Sequence, residues 1–305
     1  MSKPLGQYIW MDGEMMPWSE AKVHVLTHAL HYGTGVFEGI RAYPSGKAGL
    51  MIFRLQDHIE RMIRSGKVYH LNVKYSVKEI SKIIIEVVRK NKIHESAYIR
   101  PLVYVGDGGF GLSYKDHPIR LAIAAFPLQA YFDKPGVKVC ISSWRRISEE
   151  SLPPSVKATG NYLNSAVAKM EAQNNGYDEA VMLDRNGFLS EGTGENLFLV
   201  KGGNLITPAS SNSILEGVTR DTVITIAGDT GIGVKEMPVS RLDLYNCDEA
   251  FLTGTAAEIT PILGVDNIKI GKGLIGKTTS ALKKSFMNLV NGREKKYRKW
   301  LTPVY

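Results

Sequence analysis

The chain has 305 residues, of which 44% are hydrophobic and 22% are charged, and these fractions are typical of a globular protein. At about 150 residues per domain, the length predicts two domains that can form their cores without disulfides. The two cysteines, Cys140 and Cys247, lie far apart with no metal-ligand spacing. This excludes a disulfide scaffold and favours a reducing compartment.

The net charge of +8 comes from 38 basic and 30 acidic residues. The densest basic stretch, Arg293–Lys299, is interrupted by Glu294. We therefore expect no nucleic-acid partner, only a general preference for anionic ligands. The first residues contain no apolar segment of signal-peptide length, and no apolar run approaches the ~20 residues that span a bilayer. A cytoplasmic protein without membrane association is expected.

The first half of the chain predicts strands around a pair of helices. Apolar residues recur at helical spacing over Leu55–His70. A second helix begins at Ser76, where Glu79 completes a capping box, and continues to about Lys90. The predicted strands of this half are the hairpin Tyr8–Trp18, which turns at Asp12-Gly13, and then Ala97–Val105 and Ile119–Phe126.

The stretch 127–136 predicts a linker, because apolar periodicity lapses there and two prolines interrupt it. It divides the chain into a small N-terminal α/β domain, 1–126, and a larger C-terminal domain, 137–305. Strands in hairpins alternate with helices in both parts. The predicted fold class is therefore α+β with two domains.

The second half predicts further strands and helices. Asn186-Gly187 indicates a hairpin between Glu179–Asp184 and Phe188–Ser190. The other predicted strands are Val137–Ser143, Leu197–Val200 and Leu205–Thr207, and the predicted helices are Asn161–Asn175, Thr219–Gly228, Arg241–Tyr245 and Thr278–Val290.

Gly271–Thr278 matches the phosphate-binding pattern of P-loop nucleotide hydrolases. A P-loop follows the first strand of a parallel sheet and needs a later aspartate that holds Mg²⁺. The few residues after Thr278 leave room only for one helix and a basic tail. We therefore interpret the glycines as a turn before the last helix, and a P-loop hydrolase remains the alternative from a different class.

Three other generic motifs are weak. Gly33–Gly39 has one residue too many for a dinucleotide fingerprint. His24, His28 and His31 have helical spacing, but no acidic or cysteine ligand lies near them in the sequence, so no metal site is expected. The chain contains no G-x-S-x-G nucleophile elbow.

Several polar residues in glycine-rich settings fit a site for pyridoxal 5′-phosphate (PLP). Lys157 precedes a predicted helix and Glu191 follows a predicted strand. Gly217–Thr219 opens a helix, where backbone N–H groups suit a phosphate, and Thr253–Ala257 offers more small residues. A lysine nucleophile, a carboxylate and two amide nests are what such a site needs. Taken singly, each feature is more often a turn or a helix cap.

Six stretches occur in the order and spacing of one known family, and they cover nearly the whole chain: His28–Tyr43, Ala97–Pro101, Lys157–Tyr162, Leu189–Phe198, Gly217–Asp221 and Thr253–Pro261. On these stretches the chain resembles the branched-chain amino acid aminotransferases, which are PLP enzymes of fold type IV. The resemblance implies the two-domain fold of that type.

The resemblance implies a role for each cofactor-binding residue. Lys157 matches the Schiff-base lysine, which also moves the proton between the α-carbon of the substrate and C4′ of the cofactor. Glu191 matches the carboxylate beside the pyridine nitrogen, and Tyr162 the hydroxyl that hydrogen-bonds O3′. The residues matching the phosphate site are Arg61, Val218, Thr219 and Thr255, and the residue matching the ring-packing position is Leu215.

The substrate residues follow from the same resemblance. Tyr98, with the amides of Thr255 and Ala256, matches the site of the α-carboxylate, and Arg100 matches the residue that receives the second carboxylate of glutamate. The residues matching the aliphatic wall are Tyr32, Phe37, Gly39 and Tyr131. Leu128 stands where many relatives have tryptophan, which favours larger or aromatic keto acids.

The implied activity is transfer of the amino group between leucine, isoleucine or valine and 2-oxoglutarate. In the family a loop of a neighbouring subunit completes the pocket, here Gly109–Leu112, so a homodimer or higher homo-oligomer is implied. D-amino acid aminotransferases and aminodeoxychorismate lyases share the fold and are the nearest alternatives. Tyr98-Ile-Arg100 and Gly39–Tyr43 favour the branched-chain group.

Overall fold

The structure is a computed structural model that describes residues 5–46, 49–129 and 131–305. Residue 130, which belongs to the predicted linker, lies outside the described residues, as do 1–4 and 47–48. Within the described ranges the α-helices are α1 (His28–Tyr32), α2 (Leu55–Val68), α3 (Val77–Lys90), α4 (Tyr162–Asn174), α5 (Val218–Asp229), α6 (Arg241–Tyr245) and α7 (Lys277–Val290).

The strands of the same ranges are β1 (Tyr8–Met11), β2 (Glu14–Pro17), β3 (Gly35–Phe37), β4 (Ile40–Pro44), β5 (Leu50–Phe53), β6 (Ala97–Val105), β7 (Ile119–Pro127), β8 (Val137–Arg145), β9 (Glu179–Leu183), β10 (Leu189–Gly192), β11 (Asn196–Lys201), β12 (Asn204–Thr207), β13 (Val234–Glu236), β14 (Glu249–Gly254), β15 (Glu258–Val265), β16 (Ile268–Lys269) and β17 (Leu301–Pro303).

The chain forms two compact units. Of the described residues, the first comprises 5–46, 49–129, 156–160 and 289–305, and the second comprises 131–155 and 161–288. Two short segments from late in the sequence thus belong to the first unit. One of them carries Lys157, a placement that no compositional signal indicates. The domain limits 1–126, 127–136 and 137–305 stay predictions.

The first unit is built on an antiparallel sheet with the strand order β17-β5-β4-β6-β7-β1-β2, and β3 pairs with β6. Helices α2 and α3 pack on this sheet through buried residues such as Ile59 and Ile84. The N-terminus of α3 has the predicted capping box, in which Glu79 accepts from the Ser76 amide at 2.8 Å. Because β6 alternates, Tyr98, Arg100 and Leu102 share one of its faces.

The second unit is built on a mixed sheet with the strand order β10-β9-β8-β15-β14-β11-β12-β13, and β16 pairs with β15. Strand β8 is parallel to β9 and β15, while β14 is antiparallel to β11 and β15. Helix α4 packs on β8 and β9, and α5 packs on β14. The helices and sheets of the two units confirm the predicted α+β class.

No helix in the described part of the chain has both the length and the apolar character needed to cross a bilayer.

Candidate active site

Lys157 lies in the segment Val156–Gly160, which belongs to the first unit. Its backbone is hydrogen-bonded on two sides. The Phe37 amide donates to the Lys157 carbonyl at 3.1 Å, and the neighbouring Ala158 forms an antiparallel bridge with Val36. On the other side the Lys157 amide donates to Ser65 Oγ of α2 at 3.2 Å. Lys157 Nζ lies 5.0 Å from the centre of the Phe37 ring. The structure therefore fixes the lysine backbone beside the aromatic residue of the predicted wall.

A buried ionic cluster lies beside this segment. Glu38, between β3 and β4, is completely buried and accepts from Arg61 Nε at 2.7 Å, from Arg61 Nη2 at 2.9 Å and from His58 Nδ1 at 2.7 Å. His58 and Arg61 are one turn apart on α2, so both reach the same carboxylate.

Electrostatics assign the charges of this cluster. Burial opposes ionisation of Glu38, but Arg61 and His58 outweigh it and hold the pKa of the carboxyl well below its usual range. Burial also lowers the pKa of His58, against the attraction of Glu38, and the charges of Arg61 and Lys157 lower it further. The cluster at neutral pH is thus an ion pair joined by a neutral histidine.

Tyr98, Arg100 and Phe37 form the predicted substrate-binding group of the first unit. Arg100 Nη2 donates to the Tyr98 hydroxyl at 2.8 Å, and the Arg100 guanidinium lies 4.8 Å from the centre of the Phe37 ring. Gly39 packs closely on this group, since a Cβ at that position would overlap the Tyr98 hydroxyl as it stands. Among the described residues, no carboxylate forms a salt bridge with Arg100.

Tyr32 lies at the end of α1, with its ring 4.5 Å from that of His28. His28 Nε2 donates to the Gly111 carbonyl at 3.0 Å, and its Nδ1 lies 2.8 Å from Thr34 Oγ1. The histidine therefore anchors the loop that contains Gly111 to α1.

Glu191 lies on β10 in the second unit, and both of its carboxylate oxygens have partners. Arg146 Nε donates to Oε1 at 2.8 Å, while Asn196 Nδ2 and the Leu215 amide each donate to Oε2 at 3.0 Å. Both Glu191 and Arg146 are buried. The structure thus brings the predicted carboxylate and the predicted ring-packing residue, Leu215, into direct contact.

Val218 and Thr219 form the first turn of α5, where backbone N–H groups and the positive end of the helix dipole favour an anion. Gly217 is the N-cap, and a Cβ there would overlap Asn196 Oδ1. Asn196 also donates to the Leu215 carbonyl at 2.8 Å. One buried asparagine therefore joins the Glu191 carboxylate to the start of the helix.

The remaining predicted residues of the second unit lie at the ends of its elements. Thr255 and Ala256 form the turn between β14 and β15, and both are partly buried. Tyr162 is the first residue of α4, and Tyr131 is half exposed with its ring 4.8 Å from Phe132.

Two further carboxylates are buried in the second unit, namely Glu195 in the loop that follows β10 and Glu179 at the start of β9. Glu195 accepts from the Gly194 amide at 3.1 Å, while Glu179 accepts from Lys169 Nζ at 2.6 Å and from Thr193 Oγ1 at 2.7 Å. Burial, with the charge of Glu179 next in importance, raises the pKa of Glu195 to about 8. Glu195 is therefore largely protonated at neutral pH.

The glycine run 271–278 has a different role from that of a P-loop. Glu249 accepts from the Thr278 amide at 3.0 Å and from the Thr279 amide at 2.7 Å, so a carboxylate already caps the N-terminus of α7. The preceding strand β16 has only two residues and is antiparallel to β15. Both findings agree with a glycine turn before the last helix.

The sequence reasoning missed the partners of its candidate residues, namely Glu38, His58, Arg146 and Asn196. Their signal was present in part. Glu38 stands between apolar residues, and His58 and Arg61 have helical spacing on the apolar face of α2. Arg146 gave no such signal, since Glu191 is 45 positions away.

Comparison with known proteins identifies the family. Residues 35–265 match the family described as amino-transferase class IV. A branched-chain-amino-acid aminotransferase of Salmonella typhimurium is 46% identical over 309 aligned positions, which cover 100% of this chain and 99% of the relative.

Solved structures agree. The branched-chain aminotransferase of Thermoproteus uzoniensis with norvaline is 46% identical, with a TM-score of 0.95 and coverage of 98% of this chain and 100% of that one. The branched-chain amino acid aminotransferase of Thermobaculum terrenum, solved in its PLP-bound holo-form, is 40% identical, with a TM-score of 0.93 and coverage of 99% and 100%. The chain therefore belongs to the class IV aminotransferases and, within them, to the branched-chain-amino-acid aminotransferases.

Proposed function

We propose that this protein is a PLP-dependent transaminase that moves the amino group between leucine, isoleucine or valine and 2-oxoglutarate. The observation that carries the proposal is the buried carboxylate of Glu191, held by Arg146, Asn196 and the Leu215 amide. A pyridine nitrogen needs such an ionised carboxylate beside it to stay protonated. Full-length similarity to branched-chain aminotransferases supports the same activity.

The residues present fit the cofactor. Lys157 supplies the amine for covalent attachment, and the first turn of α5 supplies amides for a phosphate. The relative solved in its PLP-bound form supports this assignment. We propose that Tyr162 bonds O3′ and that Leu215 packs on the ring face. The residues proposed for the phosphate are Arg61, Val218, Thr219 and Thr255.

When bound, PLP supplies a carbonyl that takes up the amino group and a ring that accepts the electrons left on the α-carbon. Lys157 first holds the cofactor, and its amine then moves the proton between the α-carbon and C4′. Glu191 keeps a proton on the ring nitrogen by its charge. Lys157 thus controls the proton that moves between the α-carbon and C4′, and Glu191 controls the proton on the ring nitrogen.

Substrate selection is proposed for the Tyr98 and Arg100 group. Tyr98, with the amides of Thr255 and Ala256, binds the α-carboxylate, and Arg100 meets the second carboxylate of glutamate with a guanidinium fork. Leucine offers that guanidinium nothing and lies instead on the aromatic wall. The proposed wall residues are Tyr32, Phe37, Gly39 and Tyr131.

We also propose a homodimer or higher homo-oligomer in the cytoplasm. The loop held by His28 presents Phe110 with 98% of its surface exposed and Leu112 with 76% exposed. Apolar side chains displayed this fully on an anchored loop favour contact with a second copy.

The experiment that tests the activity is a pair of half-reactions. Added L-leucine should shift the absorbance of the lysine-bound cofactor from the near-visible range to that of the aminated form, and 2-oxoglutarate should restore it. D-leucine should do neither. Turnover of D-amino acids in place of L-amino acids would favour the D-amino acid aminotransferase alternative, and absence of the chromophore would contradict PLP binding.

A further inference from the structure

Glu38 combines an unusual position with complete burial. It lies between Phe37 and Gly39, two residues of the proposed substrate wall, yet its carboxylate bonds to α2. Burying a carboxylate is costly unless charge and hydrogen bonds compensate it. The bonds that compensate the buried Glu38 carboxylate also restrict the orientation of the groups that donate them.

The first constraint acts on Arg61. Its Nε and Nη2 donate to different oxygens of Glu38, at 2.7 and 2.9 Å. Two parallel bonds fix both the plane and the direction of a guanidinium, which is otherwise the end of a flexible side chain. Because the Nε edge is directed at Glu38, the Nη1 end is directed away from it.

The second constraint acts on the backbone next to Tyr98. Glu38 Oε2, which also accepts from His58 Nδ1, accepts from the Gly39 amide at 3.2 Å. The Cα of Gly39 packs so closely on the Tyr98 hydroxyl that a Cβ would overlap it. The Glu38 carboxylate therefore orients both the Arg61 side chain, proposed to bind the cofactor phosphate, and the Gly39 peptide, which lies beside the proposed α-carboxylate site.

We propose that Glu38 is a positioning residue of this enzyme, which orients the Arg61 guanidinium for the cofactor phosphate and fixes the Gly39 peptide beside Tyr98. The inference rests on the proposed function, in which Arg61 binds the phosphate. Glu38 itself touches neither ligand. Its effect passes through Arg61 for the cofactor and through Gly39 for the α-carboxylate.

Glutamine is the informative substitution, because it keeps the size of the side chain and removes the charge. Its amide nitrogen is a donor, and the guanidinium has only donors. At most one of the two bonds to Arg61 therefore survives in Glu38→Gln, and the fork is no longer fixed.

The test compares PLP with pyridoxal, which lacks the phosphate, by titrating each into the cofactor-free full chain and following absorbance. Glu38→Gln should weaken PLP binding about 10- to 100-fold, by analogy with the loss seen when a residue that orients a metal ligand is replaced. Pyridoxal binding should change much less. The KM for leucine should also rise, because the neutral amide holds the Gly39 peptide less strongly than the carboxylate does.

Asp57→Asn is the matched control. Asp57 makes the same kind of two-bond pair on the same helix, with Arg54 Nε at 2.9 Å and Arg54 Nη2 at 3.1 Å. The substitution is the same change from carboxylate to amide, but it does not touch Arg61. Both affinities should stay at the wild-type values.

A double variant separates positioning from general stability. If Glu38 acts through Arg61, Glu38→Gln combined with Arg61→Gln should bind PLP no more weakly than Arg61→Gln alone. Equal losses for PLP and pyridoxal in Glu38→Gln, or no loss at all, would overturn the inference. If that variant does not fold, Glu38→Asp decides by the same comparison. Failure of the wild-type chain to bind PLP would instead contradict the proposed function.

Discussion

Replacing Glu195 with glutamine should flatten the dependence of stability on pH. Glu195 is 6% exposed and lies near the Glu179 carboxylate. Burial, then the charge of Glu179, raises its pKa from 4.5 to about 8, which the Gly194 amide and Lys169 only partly oppose. The folded chain therefore binds this proton more tightly than the unfolded chain does.

The sign and size of the effect follow from that difference. A raised folded-state pKa contributes stability that is complete below the unfolded value and is lost as the pH rises to the folded value. One proton gives a slope of about 1.4 kcal/mol per pH unit. Between pH 4.5 and about 8 the wild-type chain should thus lose at most ~5 kcal/mol from Glu195.

The assay is urea unfolding of the PLP-loaded chain at about pH 5.5, 7 and 8.5, which cover the upper part of the window given by linkage and its alkaline end. The wild-type free energy of unfolding should fall across this range. Glu195→Gln imitates the protonated acid, so its free energy should fall less and should exceed that of the wild type at the highest pH.

Glu171→Gln is the control, because the pKa of Glu171 is lowered in the folded chain whereas that of Glu195 is raised. Burial opposes ionisation of Glu171, but hydrogen bonds from Ser142 and Ser143 lower its pKa. Its pH-dependent contribution therefore lies below pH 4.5, and the substitution should shift stability equally at all three pH values. Parallel slopes for the wild type and Glu195→Gln would refute the reasoning.

Three predictions concern the proposed chemistry. Lys157→Ala should abolish transamination and leave PLP bound only non-covalently, and borohydride reduction of the wild type should label Lys157 and no other lysine. Glu191→Gln should slow proton abstraction by orders of magnitude while cofactor binding persists. Unchanged single-turnover rates in this variant would contradict the role of Glu191. Arg100→Met should lower kcat/KM for glutamate by about 10²-fold and for leucine far less, and equal losses would remove Arg100 from the substrate site.

The elements with local signals were predictable from the sequence. The capping box at Ser76 gives α3 its N-terminus as predicted. The Asn186-Gly187 turn joins β9 to β10, with Gly187 at a φ of 88° and Asp184 accepting from the Asn186 amide at 2.9 Å. In both cases the residues that cause the structure lie within a few positions of one another.

Strands β3, β4 and β5 were missed because they are short and most of their pairing partners are distant, although β4 and β5 also pair with each other. Each has three to five residues, and β5 is buried on both faces, so no alternation marks it. Their pairing partners include β6, about 60 residues later in the chain, and β17 near its end. A short window of sequence around these strands contains neither β6 nor β17, so the pairings that complete the sheet leave no local signal.

The candidate site shows the same division between residues and partners. Lys157 and Glu191 could be named from the sequence because their stretches are distinctive. The partners of the candidate residues lie elsewhere in the sequence: Arg146 is 45 positions from Glu191, and Glu38 is 23 positions from Arg61. A buried charge requires a partner, but the sequence does not say which residue supplies it. The sequence thus identifies the residues that are candidates for the transamination chemistry. Their charge and orientation are set by contacts that only the folded chain makes.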